Sequence, residues 1–176
     1  MVIHNKIECY DTILGIYNKL RTDDFAWYWN ENQIDAILGF SRDEYPGFTH
    51  IFYRDNQINS GFFDIVSNLI NLIVDKEKIE YKSLYRAQAN LIQNINITDE
   101  QLLNSIHYDM PTDNYISIIY YVMDSDGDTI IFDNDKEIRI PPVQGSYVIF
   151  KSSTKHRATV PKVNKRRMVI NCVLEV

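Results

Sequence analysis

A chain of 176 residues, 45% of them hydrophobic, is long enough to bury a core and too apolar to remain disordered. Its 24 acidic residues against 18 basic ones leave a net charge of −6, which argues against non-specific nucleic-acid binding, where clustered Lys and Arg must neutralise phosphates. Two cysteines at opposite ends, Cys9 and Cys172, do not make a disulfide framework. No apolar run approaches the roughly 20 residues that span a bilayer, and the first residues lack an apolar leader. The expectation is therefore a soluble protein of a reducing cytoplasm.

The first half predicts helices with interruptions. Ile7, Tyr10, Ile13, Leu14, Tyr17 and Leu20 recur at helical spacing, so residues 6–21 are expected to form an amphipathic helix. The aromatic run Phe25–Trp29 predicts a short strand, 30–47 a loop, and Thr49–Tyr53 another strand. Phe62, Ile65, Val66, Leu69, Ile70 and Ile73 predict a second helix over 61–75. Both helices need an apolar partner for one face.

From Ser83 the period changes to two. In Tyr85–Ile92, Arg86, Gln88 and Asn90 alternate with Ala87, Ala89 and Leu91. Further strands are expected at Tyr115–Met123, Thr129–Phe132, Glu137–Ile140, Ser146–Lys151, Arg157–Val160 and Arg167–Glu175, separated by Asp-, Asn-, Gly- and Pro-rich turns. Short strands at this spacing predict an antiparallel sheet closed or folded on itself. The expected class is α+β, mainly β: helices and short strands in 1–82, a jelly-roll core in 83–176, and a single domain over 1–176.

His107-Tyr108-Asp109 places an imidazole and a carboxylate two residues apart, on one side of an extended segment. Alone the pattern is weak, because His-x-Asp is common. His156 returns after several short strands and supplies a third donor. Two histidines and one carboxylate form the facial triad of non-haem Fe(II) sites, whereas a structural zinc site would be closed by four ligands, usually with Cys. Eleven residues beyond His156, an arginine opens the last strand; a guanidinium can grip a carboxylate in a bidentate fork. Arg167, Val169, Asn171 and Val173 share one face and Arg166 the other. Either arginine could point inward, and Arg167 is preferred because Asn171 would then lie beside the same ligand. On Tyr115–Met123, Tyr115, Ser117, Ile119 and Tyr121 share a face, and Tyr121 could offer its hydroxyl to that carboxylate. Arg86, Gln88 and Asn90 form a candidate substrate wall. His4 and His50 fit no such pattern. The acid-free basic stretch Lys151–Arg167 reads as a solvated edge, or alternatively as a rim attracting acidic molecules. Asp124–Asp128 resembles the start of a calcium loop, but its Gly is fourth rather than sixth and strands flank it, so a turn is expected.

From about Tyr85 to Val176 the chain resembles the 2-oxoglutarate/Fe(II) oxygenase family in its prolyl-hydroxylase-like branch. The motifs are His107-Tyr108-Asp109, Tyr120-Tyr121, Asp126-Gly127-Asp128-Thr129, Pro142 and Gly145 leading to Phe150, then His156 and Arg167. The first half is similar to small family members encoded by bacteriophages, through Phe25–Tyr28, Gly47–Tyr53 and Arg86–Leu91. The resemblance implies a double-stranded β-helix that holds Fe(II) through His107, Asp109 and His156, the residues expected to be catalytic. It also implies 2-oxoglutarate anchored by Arg167 and Tyr121, with Asn171 assisting. With O2, such an enzyme oxidatively decarboxylates 2-oxoglutarate to succinate and CO2 and hydroxylates a C–H bond. The expected substrate is a protein residue, proline by analogy, or a small molecule. Alternatives are a cupin-type metal enzyme without 2-oxoglutarate and a catalytically silent binding or virion-associated module.

Overall fold

The computed structural model describes residues 2–31, 46–96, 105–133 and 136–176. The predicted loop over 30–47 lies almost wholly outside them. The described elements run in the order β1 (Val2–Lys6), α1 (Tyr10–Lys19), β2 (Tyr28–Asn30), β3 (Gly47–Arg54), β4 (Gln57–Ile58), α2 (Phe63–Glu77) and β5 (Ser83–Gln93). There follow β6 (Tyr115–Tyr121), β7 (Thr129–Asp133), β8 (Lys136–Ile140), β9 (Ser146–Lys151), β10 (His156–Ala158) and β11 (Arg166–Glu175).

The helices obey the expected periodicity. In α2, Val66, Leu69, Ile70, Ile73 and Val74 are buried at i, i+3, i+4, i+7 and i+8, a continuous apolar stripe. Each such side chain contributes roughly 1.5–3 kcal/mol on burial. Asp64 in the first turn and Lys76 in the last complement the helix dipole. The helix ends on Lys78 in the left-handed conformation, φ 54°, and Ile79 N donates back to Val74 O at 2.9 Å.

One departure from the sequence expectation lies at the start. The predicted helix over 6–21 begins at Tyr10, and Val2–Lys6 is instead a strand, antiparallel to β9 from Val2↔Phe150 to Lys6↔Ser146. The segment Val-Ile-His-Asn-Lys has no strong local preference, and an open sheet edge with unpaired backbone groups captures it. The aromatic strand also shifts, to Tyr28–Asn30, while Phe25 and Trp27 pack into the core.

Two antiparallel sheets form the double-stranded β-helix. The larger is ordered β1-β9-β6-β11-β5-β3-β2, with β4 paired to β3; the smaller is β10-β7-β8. One face of the large sheet packs on the helices: Ala87, Ala89, Leu91, Ile118, Tyr120, Ile149, Ile170 and Cys172 join the stripe of α2 in one buried cluster. The opposite face meets the small sheet, where Ile119, Tyr121, Val148, Phe150 and Val169 pack with Ile131 and Ile140. The turn into β9 depends on Gly145, whose φ of +82° and approach to Ile13 leave no room for a side chain: a Cβ would lie 2.5 Å from Ile13 Cδ1. Cys9 is exposed and Cys172 buried, and both are free thiols.

Candidate metal and cosubstrate site

Between the two sheets lies a cavity of about 320 Å³. Register decides what lines it. Asn171 pairs with Gln88 on β5 and Ile119 on β6, and Arg167 with Ile92, so the inward residues of three strands meet. Arg86, Gln88, Asn90, His107, Asp109, His156, Arg167 and Asn171 all line the cavity. Arg167 is 3% exposed. Arg166 lies on the opposite side of β11, half-buried and outside the lining, so Arg167 is the arginine of the pair that faces the cavity.

His107 and His156 are brought together by the backbone. His107 N donates to His156 O at 2.9 Å and His156 N to His107 O at 2.8 Å, an isolated antiparallel bridge. The rings stand 4.4 Å apart, centroid to centroid. Asp109 N and Met110 N both donate to Ser152 O, at 3.0 and 3.1 Å, which fixes the segment after His107 against the end of β9. The candidate ligand atoms of His107, Asp109 and His156 lie within 4.8 Å of one another.

The donor set suits a divalent cation. His107 Nδ1 faces Ser105 O at 2.8 Å, and His156 Nδ1 faces Thr154 O at 3.0 Å. A carbonyl can only accept, so both Nδ1 atoms carry a proton and Nε2 of each ring is the nitrogen left to meet a metal. Burial first, and then the neighbouring His156, pull the His107 pKa down from 6.5 to about 4, which keeps the ring neutral. For Asp109, burial alone would raise the pKa; Arg86, His156 and His107 more than offset this and hold it well below the ordinary carboxylate range. A carboxylate with two imidazoles at this separation can hold Fe(II) on one face, leaving positions open.

Asp109 is itself oriented by neighbours. Arg86 Nη2 donates to Oδ1 at 2.6 Å, Ser117 Oγ to Oδ2 at 2.6 Å, and Asn171 Nδ2 reaches the two oxygens at 3.3 and 3.4 Å. Ser117 Oγ also meets Ser152 Oγ at 2.8 Å. Such outer partners fix a ligand's direction and basicity. Arg86, expected as substrate wall, and Asn171, expected beside the cosubstrate, are thus both placed on the candidate ligand. Ser117 and Ser152 carried no functional expectation. The inward alternation of β6 was the available signal for Ser117; Ser152 joins by tertiary contact.

At the other end of the cavity Arg167 is clamped by neutral acceptors. Its Nε donates to Gly127 O and its Nη2 to Thr129 Oγ1, both at 2.7 Å. Tyr121 OH donates to the same Thr129 oxygen at 2.8 Å, and the guanidinium lies 5.8 Å from the Tyr121 ring centre. Burial pushes the Tyr121 phenol up to about 12, with Arg167 pulling the other way, so it stays a neutral donor. Thr129 was not expected in this role, although its place after Asp126-Gly127-Asp128 belonged to the motif. The glycine has a steric reason: a Cβ at Gly127 would meet Thr159 O at 2.6 Å and Arg167 Cδ at 3.0 Å. A buried guanidinium can grip a carboxylate in a bidentate fork.

Residues set aside in the sequence fall elsewhere. His50 faces the helices, stacked on Phe25, with its nitrogens on Ala26 O and Ser60 Oγ. Asp126 is no calcium ligand in a helix–loop–helix; its carboxylate accepts from the backbone of Lys162, Val163 and Asn164. Within the basic stretch, Lys151 pairs with Asp113, while Arg157 and Arg167 line the cavity. Trp27, Tyr28 and Trp29 are not among the lining residues.

Residues 95–175 match the family model of the 2OG-Fe(II) oxygenase superfamily. Among solved structures, a prolyl-4-hydroxylase from Pseudomonas putida superposes with a TM-score of 0.62 at 12% identity, covering 99% of this chain and 91% of that one. A prolyl hydroxylase from Trichoplax adhaerens, solved with a peptide fragment of the hypoxia inducible factor oxygen degradation domain, gives 0.66 at 11% identity over 99% and 83%. An oxidoreductase of the 2OG-Fe(II) oxygenase family from Burkholderia pseudomallei gives 0.60 at 14% over 97% and 93%. No curated protein matches the chain. At these identities the superpositions show the shared fold.

Proposed function

We propose that this chain is a member of the 2-oxoglutarate/Fe(II) oxygenase superfamily that uses Fe(II), 2-oxoglutarate and O2 and works over 1–176 as one domain that hydroxylates a C–H bond of a protein residue. The observation that carries the reading is the meeting, in one cavity, of two imidazole nitrogens and a carboxylate with a buried guanidinium.

In this reading His107, Asp109 and His156 hold the metal. Arg86, Ser117 and Asn171 keep the Asp109 carboxylate in one orientation. Arg167, backed by Thr129 and Tyr121, receives the far carboxylate of 2-oxoglutarate. Ile119 and Val169 supply an apolar wall between the two ends, which keeps competing water from the reaction. When bound, the metal with 2-oxoglutarate and O2 supplies an oxidant able to take hydrogen from a C–H bond, with release of succinate and CO2. For the substrate we favour a protein side chain, proline among them, over a small molecule. The support is analogy with the peptide-bound T. adhaerens protein and a cavity bordered by Tyr85, Tyr108 and Pro111. Among the described residues no helix is long and apolar enough to cross a membrane.

The first test is optical. Anaerobic protein loaded with Fe(II) and 2-oxoglutarate should develop a visible charge-transfer band, and His107→Ala should abolish it. A missing band in the wild type, or one that survives the substitution, would sink the reading. Mass spectrometry of lysate proteins after incubation should then reveal the mass of one added oxygen on the substrate.

A further inference from the structure

The metal centre and the Arg167 clamp leave one polar part of the cavity wall unused. Gln88 and Asn90 project from β5 on the same side as Arg86, and both line the cavity. A chain of hydrogen bonds fixes which end of each amide faces where. A register shift between Ile51 and Tyr53 brings Arg54 of β3 onto the inner face, where its Nη2 lies 2.9 Å from Gln88 Oε1. A guanidinium has donors and no acceptor, so it can meet the amide of Gln88 only at its oxygen. Gln88 Nε2 therefore points onward and donates to Asn90 Oδ1 at 3.1 Å. Thr49 Oγ1 reaches the same oxygen at 3.5 Å. Asn90 must then present Nδ2, and among the described residues its two N–H groups meet no acceptor. Turning either amide over would set N–H against N–H.

We propose that Gln88 and Asn90 form a donor-only subsite for a carbonyl oxygen of the molecule being oxidised, with Arg54 as the residue that sets its polarity. The inference rests on the oxygenase reading above. It goes beyond that reading by giving the substrate a chemical handle, the amide-type carbonyl that any peptide carries. The cosubstrate is a poorer occupant, because its two ends are matched by the metal ligands and by Arg167. The relay also leads away from that axis, from β5 outward to β3.

The side-chain amide signals of Asn90 and Gln88 provide the test, in 15N-labelled protein loaded with Zn(II) as a diamagnetic stand-in. The signals are assigned by their loss in Asn90→Asp and Gln88→Glu. 2-Oxoglutarate is added first, then N-acetylglycinamide at millimolar concentration. The expected result is little movement with 2-oxoglutarate and a saturable shift with the capped amide. Asn90→Asp, which replaces donors by acceptors, should weaken that binding about tenfold. Arg54→Met should diminish the shift and Arg54→Lys, which still donates to Gln88 Oε1, should retain it. That rescue would not follow from a role in packing alone. Should Arg54→Met fail to fold, the wild-type titration and the Lys variant still decide. Signals that move with 2-oxoglutarate and not further with the amide, or that do not move at all, overturn the subsite. The Fe(II)–2-oxoglutarate band of the wild type tests the oxygenase reading separately, so a band with silent amides sinks the subsite alone.

Discussion

Along β5, Ala87, Ala89 and Leu91 turn toward the helices and are buried among aliphatic side chains, while Arg86, Gln88 and Asn90 between them turn into the cavity with their polar ends hydrogen-bonded. β11 repeats the contrast, with Ile170 and Cys172 on one side and Arg167 and Asn171 on the other. The two faces share one backbone and differ in what they ask of a side chain. The helix face needs volume, and its stability comes from exclusion of water. The cavity face needs orientation, and Arg86, Gln88 and Arg167 there are held through hydrogen bonds to named partners. A substitution on one face should therefore leave the property of the other intact.

The largest expected effect breaks the helix face. Ile170 is fully buried, and Ile170→Ala should cost about 2–5 kcal/mol of stability, read from denaturant unfolding. The Fe(II)–2-oxoglutarate band of the folded fraction should keep its position; a displaced band would mean that the faces are coupled. A smaller effect sharpens the cavity face. Arg86→Met removes the 2.6 Å contact to Asp109 Oδ1 and should weaken metal binding about 10–100-fold, measured by competition with a chelator. Undiminished affinity would return Arg86 to the substrate wall.

A third effect is with pH. The folded pKa of His107, about 4, lies below its ordinary 6.5, so between these values the unfolded chain takes up the proton first. The contribution to stability is complete above pH 6.5 and declines as pH falls toward about 4, by at most about 1.4 kcal/mol per pH unit. Below that window both states are protonated at this group and it adds no further slope. Metal-free protein compared with His107→Gln should show the difference in unfolding free energy between pH 6.5 and 4. Parallel curves would contradict it.

Much of the fold was legible because strands alternate. The β9 segment Ser146–Lys151 was expected at the bounds observed, and the α2 stripe announced itself by its spacing. The β1 strand was not legible, because Val2–Lys6 becomes a strand through pairing with an edge that lies far along the chain. The same division runs through the candidate site. His107, Asp109, His156 and Arg167 could be named from residue type and order. Thr129 could not be given a role, because its oxygen lies between Arg167 and Tyr121 only once β7 has folded over β6 and β11.

By itself, then, the sequence determined the periods, the candidate triad residues and which residues of a strand share a face, since these follow from residue type and from steric alternation along one chain. Tertiary structure turned Arg167 rather than Arg166 toward the cavity, moved Arg86 and Asn171 onto Asp109, and aligned Arg54, Gln88 and Asn90 into one polarised relay. Those outcomes depend on register across β3, β5 and β11. Register is fixed by pairing between distant segments and shifted by a bulge, and neither is written in any local stretch of residues.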